Sequence, residues 1–157
     1  MLGTVIALAA SLLFPAHGVA APTGPKRCEV RVASALSRVA PRAMELQNPE
    51  RVMRGDLEAQ FGRIDCSREK IDRTYDVMAE LVSAESVNGR DSVKSSVTIK
   101  AIVRDGSGAM LAVVQGKARG EDRPNARASL ERDLMKAAAA EASASVPEAI
   151  RRARGTH

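Results

Sequence analysis

Residues Ser92 to Gly120 read "SVKSSVTIKAIVRDGSGAMLAVVQGKARG". From Val93 to Val103 the odd-numbered positions hold apolar or small side chains, while the even-numbered ones from Lys94 to Arg104 are polar except for Ile102. This period of two is typical of a half-buried β-strand. A looser form of the same alternation follows in "AMLAVVQGKARG". Two such runs joined by a short glycine-containing connection predict an antiparallel β-hairpin.

The connection between the two runs consists of Asp105, Gly106, Ser107 and Gly108. Two glycines spaced two apart also occur in phosphate-binding loops, but those loops lead from a strand into a helix. Here a second strand follows. We therefore interpret these residues as a structural turn that uses the tolerance of glycine for positive φ, and we expect no bound cofactor.

A helix is predicted from "QNPERVMRGDLEAQFGRI". Asn48 is suited to be its N-cap and Pro49 its first residue. Met53, Leu57 and Phe61 recur at a spacing of four, and a glycine at position 62 is suited to end the helix.

Two further strands are predicted on either side of this helix. Residues 28–36 alternate in a period of two, although Val32, Leu36 and Val39 also share one helical face and leave a helix open. The segment "TYDVMAELVS" alternates with Tyr75 to Leu81 on the apolar side, and a turn at Asn88 and Gly89 follows it.

The last long segment, from about Ala126 to Ala144, is rich in alanine and predicts a helix with Asn125 as N-cap. Its small side chains would let it lie close to a sheet. We expect Ser145 and Pro147 to interrupt this helix and to start a short one that runs through Ile150.

The predicted order is strand, helix, strand, β-hairpin, helix. It indicates an α+β fold with a small, mostly antiparallel sheet and helices packed on one face. We expect a single α/β domain over residues 28–146, followed by a short helix and basic tail at 147–157.

The N-terminal residues 1–20 have the pattern of a secretory signal peptide, an apolar run from Leu2 to Phe14 followed by small residues. Cleavage after Ala20 is favoured over Ala21, because a proline would follow the second cut. The apolar run is shorter than the roughly 20 residues that cross a bilayer. We expect an exported protein, periplasmic or extracellular, without a stable membrane anchor after cleavage and with an exposed segment at 21–27.

Two cysteines, Cys28 and Cys66, occur in this chain. Thiols oxidise in exported proteins, so we predict a disulfide between them. Two buried free thiols are the alternative.

The formal net charge is +5, from 24 Lys and Arg against 19 Asp and Glu. No clustered basic face with aromatic or recognition-helix signatures is visible, so we expect no nucleic-acid partner. The tail residues Arg151, Arg152 and Arg154 leave open a contact with anionic cell-wall polymer.

Catalytic and metal-binding residues are scarce. The two histidines are His17, inside the predicted signal, and the final residue His157, so Ser-His-Asp, Cys-His and histidine-based metal sites are not expected. Ser67 and Lys70 match a Ser-x-x-Lys spacing without the elements that accompany it in enzymes. The nearby carboxylates of Glu69, Asp72, Asp76 and Glu80 are better read as solvated side chains. We predict no catalytic, cofactor-binding or metal-binding residues and no enzyme activity.

The helix from Pro49, the strand "YDVMAELV", the hairpin "VTIKAIVRDGSGAMLAVVQGKA" and the closing helix "ASLERDLMKAAAAEASASV" occur in an order that resembles the small α/β domain of bacterial envelope proteins. These are the penicillin-binding-protein activator lipoproteins and the curli-secretion lipoprotein group. In those proteins an Asp and a small-residue-plus-Gly turn join the two hairpin strands, as Asp105 to Gly108 do here. The resemblance implies a non-enzymatic domain that binds another envelope protein.

Three functions are therefore weighed. The first is a non-catalytic envelope domain that acts through protein-protein contacts. The second is a small protein that binds a ligand or cell-wall polymer. The third is a histidine-independent hydrolase that uses Ser67 with Lys70 or a pair of carboxylates.

Overall fold

The protein is described by a computed structural model, which covers residues 29–65, 68–69, 71 and 73–155. Its elements, in chain order, are β1 (Glu29–Ser37), α1 (Pro49–Phe61), β2 (Thr74–Asn88), β3 (Val93–Arg104), β4 (Met110–Asp122), a 3₁₀ turn (Pro124–Ala126) and α2 (Arg127–Gly155).

The four strands form one mixed sheet in the order β1-β2-β3-β4. β1 and β2 are parallel and are connected through α1, as a parallel pair requires a crossover. The pairs β2–β3 and β3–β4 are antiparallel. The α+β class and the mostly antiparallel sheet are confirmed, but the order differs in detail from the prediction because a 3₁₀ turn precedes the last helix.

The alternation in β3 is the strongest link between sequence and fold. All six odd-numbered residues of the strand are buried, and these are Val93, Ser95, Val97, Ile99, Ala101 and Val103. The even-numbered residues point to the opposite face, as the pleat requires. In β2, Tyr75, Val77, Ala79 and Leu81 are buried in the same way.

Helix α1 begins at Pro49 after Asn48, as predicted, and buries Met53, Leu57 and Phe61. Asn48 makes no side-chain capping hydrogen bond; it adopts a left-handed conformation with φ of 52°, and its carbonyl accepts the Arg51 N–H at 3.0 Å. Gly62 follows the helix in a right-handed conformation with φ of −61°. This position therefore does not need the positive φ for which glycine is usually selected.

Helix α2 corrects two predictions. It is continuous from Arg127 to Gly155, with Pro147 buried inside it, so the expected break at Ser145 and Pro147 is wrong. Asn125 lies within the 3₁₀ turn, so it does not cap α2 directly. A proline inside a helix removes one hydrogen bond. Burial of Ala142, Val146 and Ile150 on both sides of Pro147 offsets that loss.

Both helices pack on the same face of the sheet: α2 contacts β3, β4 and α1, and α1 contacts β1 and β2. The core lies between this layer and the sheet. Among the described residues, none of the helices combines the length and apolar character needed to span a bilayer. The other sheet face is not covered by either helix, and we call it the open face.

A candidate docking face on the sheet

The open face carries a row of apolar side chains across all four strands. The strand register places Ser34, Met78, Ile102 and Val113 side by side on β1, β2, β3 and β4. Leu36 lies beside this row on β1, and Met110 lies beside it on β4. The exposed fraction is 45% for Leu36, 47% for Val113 and 65% for Met110. We call Leu36, Met78, Ile102, Met110 and Val113 the apolar row.

Ile102 is the residue that interrupted the polar side of β3 in the sequence. The register explains it, because Ile102 lies between Met78 and Val113 on the open face. The single irregularity in an otherwise regular strand is therefore part of a continuous surface feature.

Basic side chains lie next to the apolar row on β3 and β4. Lys100 is opposite Gln115, Lys117 is opposite Thr98, and Arg119 is opposite Ser96. Since all three occupy open-face positions of neighbouring strands, we call Lys100, Lys117 and Arg119 the basic corner. Among the described residues, their side chains have neither a hydrogen bond nor an ion pair.

A shallow hollow of about 540 Å³ lies at the same end of the open face. Hydroxyl side chains of Ser83 and Ser96 line it together with Lys117 and Arg119. Lys94 also lines it, but its ammonium lies 3.7 Å from a carboxylate oxygen of Glu121. Glu85 and Glu121 line it as well, so the hollow combines hydroxyl groups, cations and two carboxylates.

The strand carboxylates proposed for acid-base chemistry are held in ion pairs. Arg31 donates to Asp76 at 2.5 Å, and Arg38 donates to Glu80 at 3.0 Å. The hydrogen bond from Arg31 lowers the pKa of Asp76. A general acid at neutral pH needs a raised pKa, so the environment of Asp76 acts in the opposite direction.

The other residues weighed for catalysis are not brought into a shared site. Glu69 pairs with Arg151 of α2, whereas Asp76 and Glu80 pair with arginines of β1 and the residues just after it. Ser67, Lys70 and Asp72 lie outside the described residues, as do the predicted disulfide partners Cys28 and Cys66.

One carboxyl group has a raised pKa. Burial raises the pKa of Asp56 on α1, and the positive charges of Lys136 and Arg132 on α2 partly oppose this effect. Its Oδ2 atom has no hydrogen-bond partner in the described part of the chain. No group of three or more possible metal ligands occurs within that part either, so Asp56 stands as an isolated acid between two helices.

The C-terminal arginines are engaged within the fold. Arg151 pairs with both Glu69 and Glu148, and Arg152 donates to Glu148 at 2.9 Å. Arg151 and Arg152 are therefore engaged in ion pairs and are not free to contact an anionic polymer.

Side chains from the helices contact both outer edges of the sheet. Arg54 of α1 donates to the carbonyl oxygens of Val32 at 3.2 Å and Ala33 at 3.4 Å on β1. A carboxylate oxygen of Glu141 on α2 accepts the Lys117 N–H on β4 at 2.7 Å. Exposed strand edges promote pairing with other chains, and these contacts block parts of both edges.

The turn between β3 and β4 is organised by Asp105. Its Oδ1 accepts the Ser107 hydroxyl at 2.6 Å, the Ser107 N–H at 2.9 Å and the Ala109 N–H at 3.0 Å. Its carbonyl oxygen accepts the Gly108 N–H at 2.9 Å. Gly108 has a φ of 86°, whereas Gly106 has no positive φ. Only one of the two glycines therefore has the conformation expected of both.

The most extensive polar network was not predicted from the sequence and centres on Glu131 of α2. This side chain is almost fully buried, yet its Oε2 accepts the N–H groups of Glu45 at 2.7 Å and Leu46 at 2.9 Å. Its Oε1 accepts the Arg127 Nε–H at 2.8 Å and the Ser86 hydroxyl at 3.2 Å.

The Glu131 network connects three parts of the molecule: the loop before α1, the helix α2 and the strand β2. Arg127 extends it by donating to the carbonyl oxygen of Ala43 at 2.8 Å. A buried carboxylate is stable only if it is paired and hydrogen-bonded, and four donors meet that need here. In the sequence, the only indication of this network was the i,i+4 spacing of Arg127 and Glu131, and pairs with this spacing usually lie on the surface of a helix.

Comparisons with known proteins show distant structural likeness. Neither a family model nor a curated protein matches the sequence. A candidate lipoprotein from Caulobacter crescentus is 14% identical over 80% of this chain and 91% of its own, with a TM-score of 0.47. A minor lipoprotein from Acinetobacter baumannii is 12% identical over 72% and 91%, with a TM-score of 0.45.

A PelC dodecamer from Paraburkholderia phytofirmans is 17% identical over 75% of this chain and 90% of its own, with a TM-score of 0.47. Neither the penicillin-binding-protein activators nor the curli-secretion group is established as the family of this chain.

Proposed function

We propose that the protein is an exported, non-catalytic domain of the cell envelope that binds another envelope protein through its open face. The observation that carries this proposal is the apolar row, which crosses all four strands on the side of the sheet that neither α1 nor α2 covers.

An antiparallel sheet with one face in water normally has polar side chains on that face. The open face meets this expectation at the end away from the β3–β4 turn, where Glu85 and Lys94 are found, but not nearer the turn, where Met78 and Ile102 are half-buried beside the exposed Val113. Polar residues flank this row on both sides, Asp76 and Arg104 on one and Lys100 and Gln115 on the other. An apolar patch with a polar rim is the usual anatomy of a protein-protein interface. Covering Val113 and Met110 would also remove exposed apolar area from water.

Two further features support a non-catalytic role. The described part of the chain contains no histidine, and its strand carboxylates Asp76 and Glu80 are each paired with an arginine. The support for export is the apolar run from Leu2 to Phe14 and the small residues after it.

Site-specific photo-crosslinking in intact cells tests the proposal. A photoreactive amino acid at Val113 should capture one defined envelope protein, identified by mass spectrometry. The matched control carries the same amino acid at Asp133, an exposed position of α2 on the opposite side of the molecule. Equal capture at the two positions, or capture at neither, would refute docking through the open face.

A further inference from the structure

The basic corner is a set of like charges that form no ion pair with any described residue. Lys117 and Arg119 are two residues apart on β4 and therefore share one face, about 7 Å apart along the strand. Lys100 is opposite Gln115, so it is a diagonal neighbour of Lys117 across the β3–β4 pair, roughly 7–8 Å away. Like charges at such positions repel one another.

The acidic residues Asp76, Glu80 and Glu121 of the open face are paired with other groups. Glu80 is opposite Lys100 in the register, but its side chain accepts from Arg38 instead. Glu121 at the far end of β4 is held by Lys94 and by the Ser92 hydroxyl. Asp76 is taken by Arg31. Glu85 also lines the hollow, but it lies two strands from Arg119, on the other side of Ser96, and makes no ion pair with it. Among the described residues, the three cations of the basic corner therefore have no ion-pair partner.

We propose that the basic corner recognises an acidic segment of the partner protein, whose Asp or Glu carboxylates meet Lys100, Lys117 and Arg119 while its apolar side chains cover Met78, Ile102 and Val113. This inference rests on the proposed function and names the chemistry of its partner. Charge complementarity at the rim of an interface sets the rate and specificity of association.

The composition of the open face favours an acidic protein over an anionic glycan. After position 28 the chain has only two aromatic residues, Phe61 and Tyr75, and both are buried on the side of the helices. The open face therefore offers no ring on which a sugar could stack. It offers aliphatic and thioether side chains, which pack against the apolar side chains of a protein.

Binding to defined probes tests the inference. The mature protein is titrated into a fluorescent copolymer of glutamate and leucine that is mostly glutamate, and separately into fluorescent polygalacturonate. The test variant combines Lys100→Gln, Lys117→Gln and Arg119→Gln. The control variant combines Arg51→Gln, Arg63→Gln and Arg132→Gln, which removes the same charge from exposed positions outside the open face.

The test variant should bind the glutamate-leucine copolymer about tenfold more weakly than the natural protein, as expected from the loss of three exposed ion pairs. The control variant should retain affinity within about threefold, and added salt should weaken binding of the natural protein by screening. Equal losses in the two variants would show attraction by overall charge and would overturn the inference. Tighter binding of polygalacturonate than of the copolymer would show that the basic corner recognises an anionic glycan and not an acidic protein.

The crosslinking experiment separates this inference from the proposed function. If Val113 captures a partner and capture is unchanged in the Lys100, Lys117 and Arg119 variant, the docking face stands and the acidic chemistry is wrong. If Val113 captures nothing, the docking face itself is wrong.

Discussion

Gly116 of β4 lies directly against the backbone of Ala138 in α2. A Cβ atom built on Gly116 would lie 1.9 Å from the Ala138 carbonyl oxygen and 2.6 Å from the Ala142 nitrogen. These are backbone atoms of a helix and cannot move aside as a flexible side chain can. The close contact positions α2 over the sheet, and with it Glu141, which covers the Lys117 N–H at the edge of β4.

The first prediction concerns this contact. Gly116→Ala should lower the free energy of unfolding by about 3 kcal/mol, because the added methyl group forces α2 away from β4. Urea denaturation monitored by circular dichroism measures the change. The matched control is Gly55→Ala on α1, where a Cβ would meet nothing within 4 Å. That variant should gain up to about 1 kcal/mol, since alanine is the better helix former. Equal effects of the two variants would contradict this account.

The second prediction separates the two glycines of the hairpin turn. Gly108→Ala should destabilise the protein by about 1 kcal/mol, because a side chain at a positive φ is strained. Gly106→Ala should have a neutral or slightly stabilising effect, since that residue has no positive φ and a Cβ there would meet nothing within 4 Å. Thermal unfolding of both variants provides the measurement. A larger loss at Gly106 than at Gly108 would place the strained position elsewhere in the turn.

The third prediction concerns the buried carboxylate. Glu131→Gln should lower the free energy of unfolding by roughly 3 kcal/mol, because an amide cannot accept from the same four donors and the partly buried Arg127 loses the nearer of its two carboxylate partners, keeping only Glu45 at 3.8 Å. Asp133→Asn is the control: it removes one negative charge two residues away at an exposed position of the same helix, and should change stability by less than about 0.5 kcal/mol. A mild effect at Glu131 would mean that the network adds little to stability.

The elements β3, α1 and the hairpin turn were predictable from the sequence, whereas the Glu131 network was not. β3 and α1 follow from local patterns, because each buries one face at the period of its own backbone. The turn at Asp105 was also visible, since its residues act on one another within five positions. These features depend on interactions that are close in the sequence.

Features that depend on distant contacts were missed. The sequence around Glu131 is typical of a surface helix. The Glu131 side chain is bound by the N–H groups of Glu45 and Leu46, which are more than 80 positions away in the sequence. Pro147 was expected to end a helix, because the burial that compensates for it is supplied by the sheet. The apolar row was missed for the same reason: Met78, Ile102 and Val113 become neighbours only through the strand register.

The fourth prediction is the acid titration of Asp105. The hydrogen bond from the Ser107 hydroxyl, with further ones from the N–H groups of Ser107 and Ala109, lowers the pKa of this carboxyl. A folded-state pKa below the unfolded value of about 3.9 means that the ionised carboxylate stabilises the turn above that pH. The stabilisation is lost as the pH falls through the folded-state pKa.

Carboxyl resonances followed by NMR against pH measure the effect. Asp105 should titrate below a normal aspartate in the natural protein, and Ser107→Ala should move its pKa upward toward the ordinary value. Ser145→Ala, which removes a hydroxyl on α2 that donates to the Glu141 carbonyl oxygen and not to Asp105, is the control and should leave the Asp105 titration unchanged. An unchanged Asp105 pKa in Ser107→Ala would show that the backbone N–H groups alone hold the carboxylate.

The fifth prediction is a disulfide between Cys28 and Cys66, which lie outside the described residues but are each next to a described one. Cys28 immediately precedes β1 at Glu29, and Cys66 follows Asp65 shortly after α1. In the entropic account, closing a loop of this length constrains the unfolded chain by about 4 kcal/mol. Intact-mass analysis of the exported protein, with and without reductant, should show the gain of two hydrogens on reduction and a start at Ala21. Cys28→Ser and Cys66→Ser should destabilise the protein equally, and the double variant should cost no more than either alone. Additive losses would instead indicate two separately buried thiols and would remove one argument for an oxidising compartment.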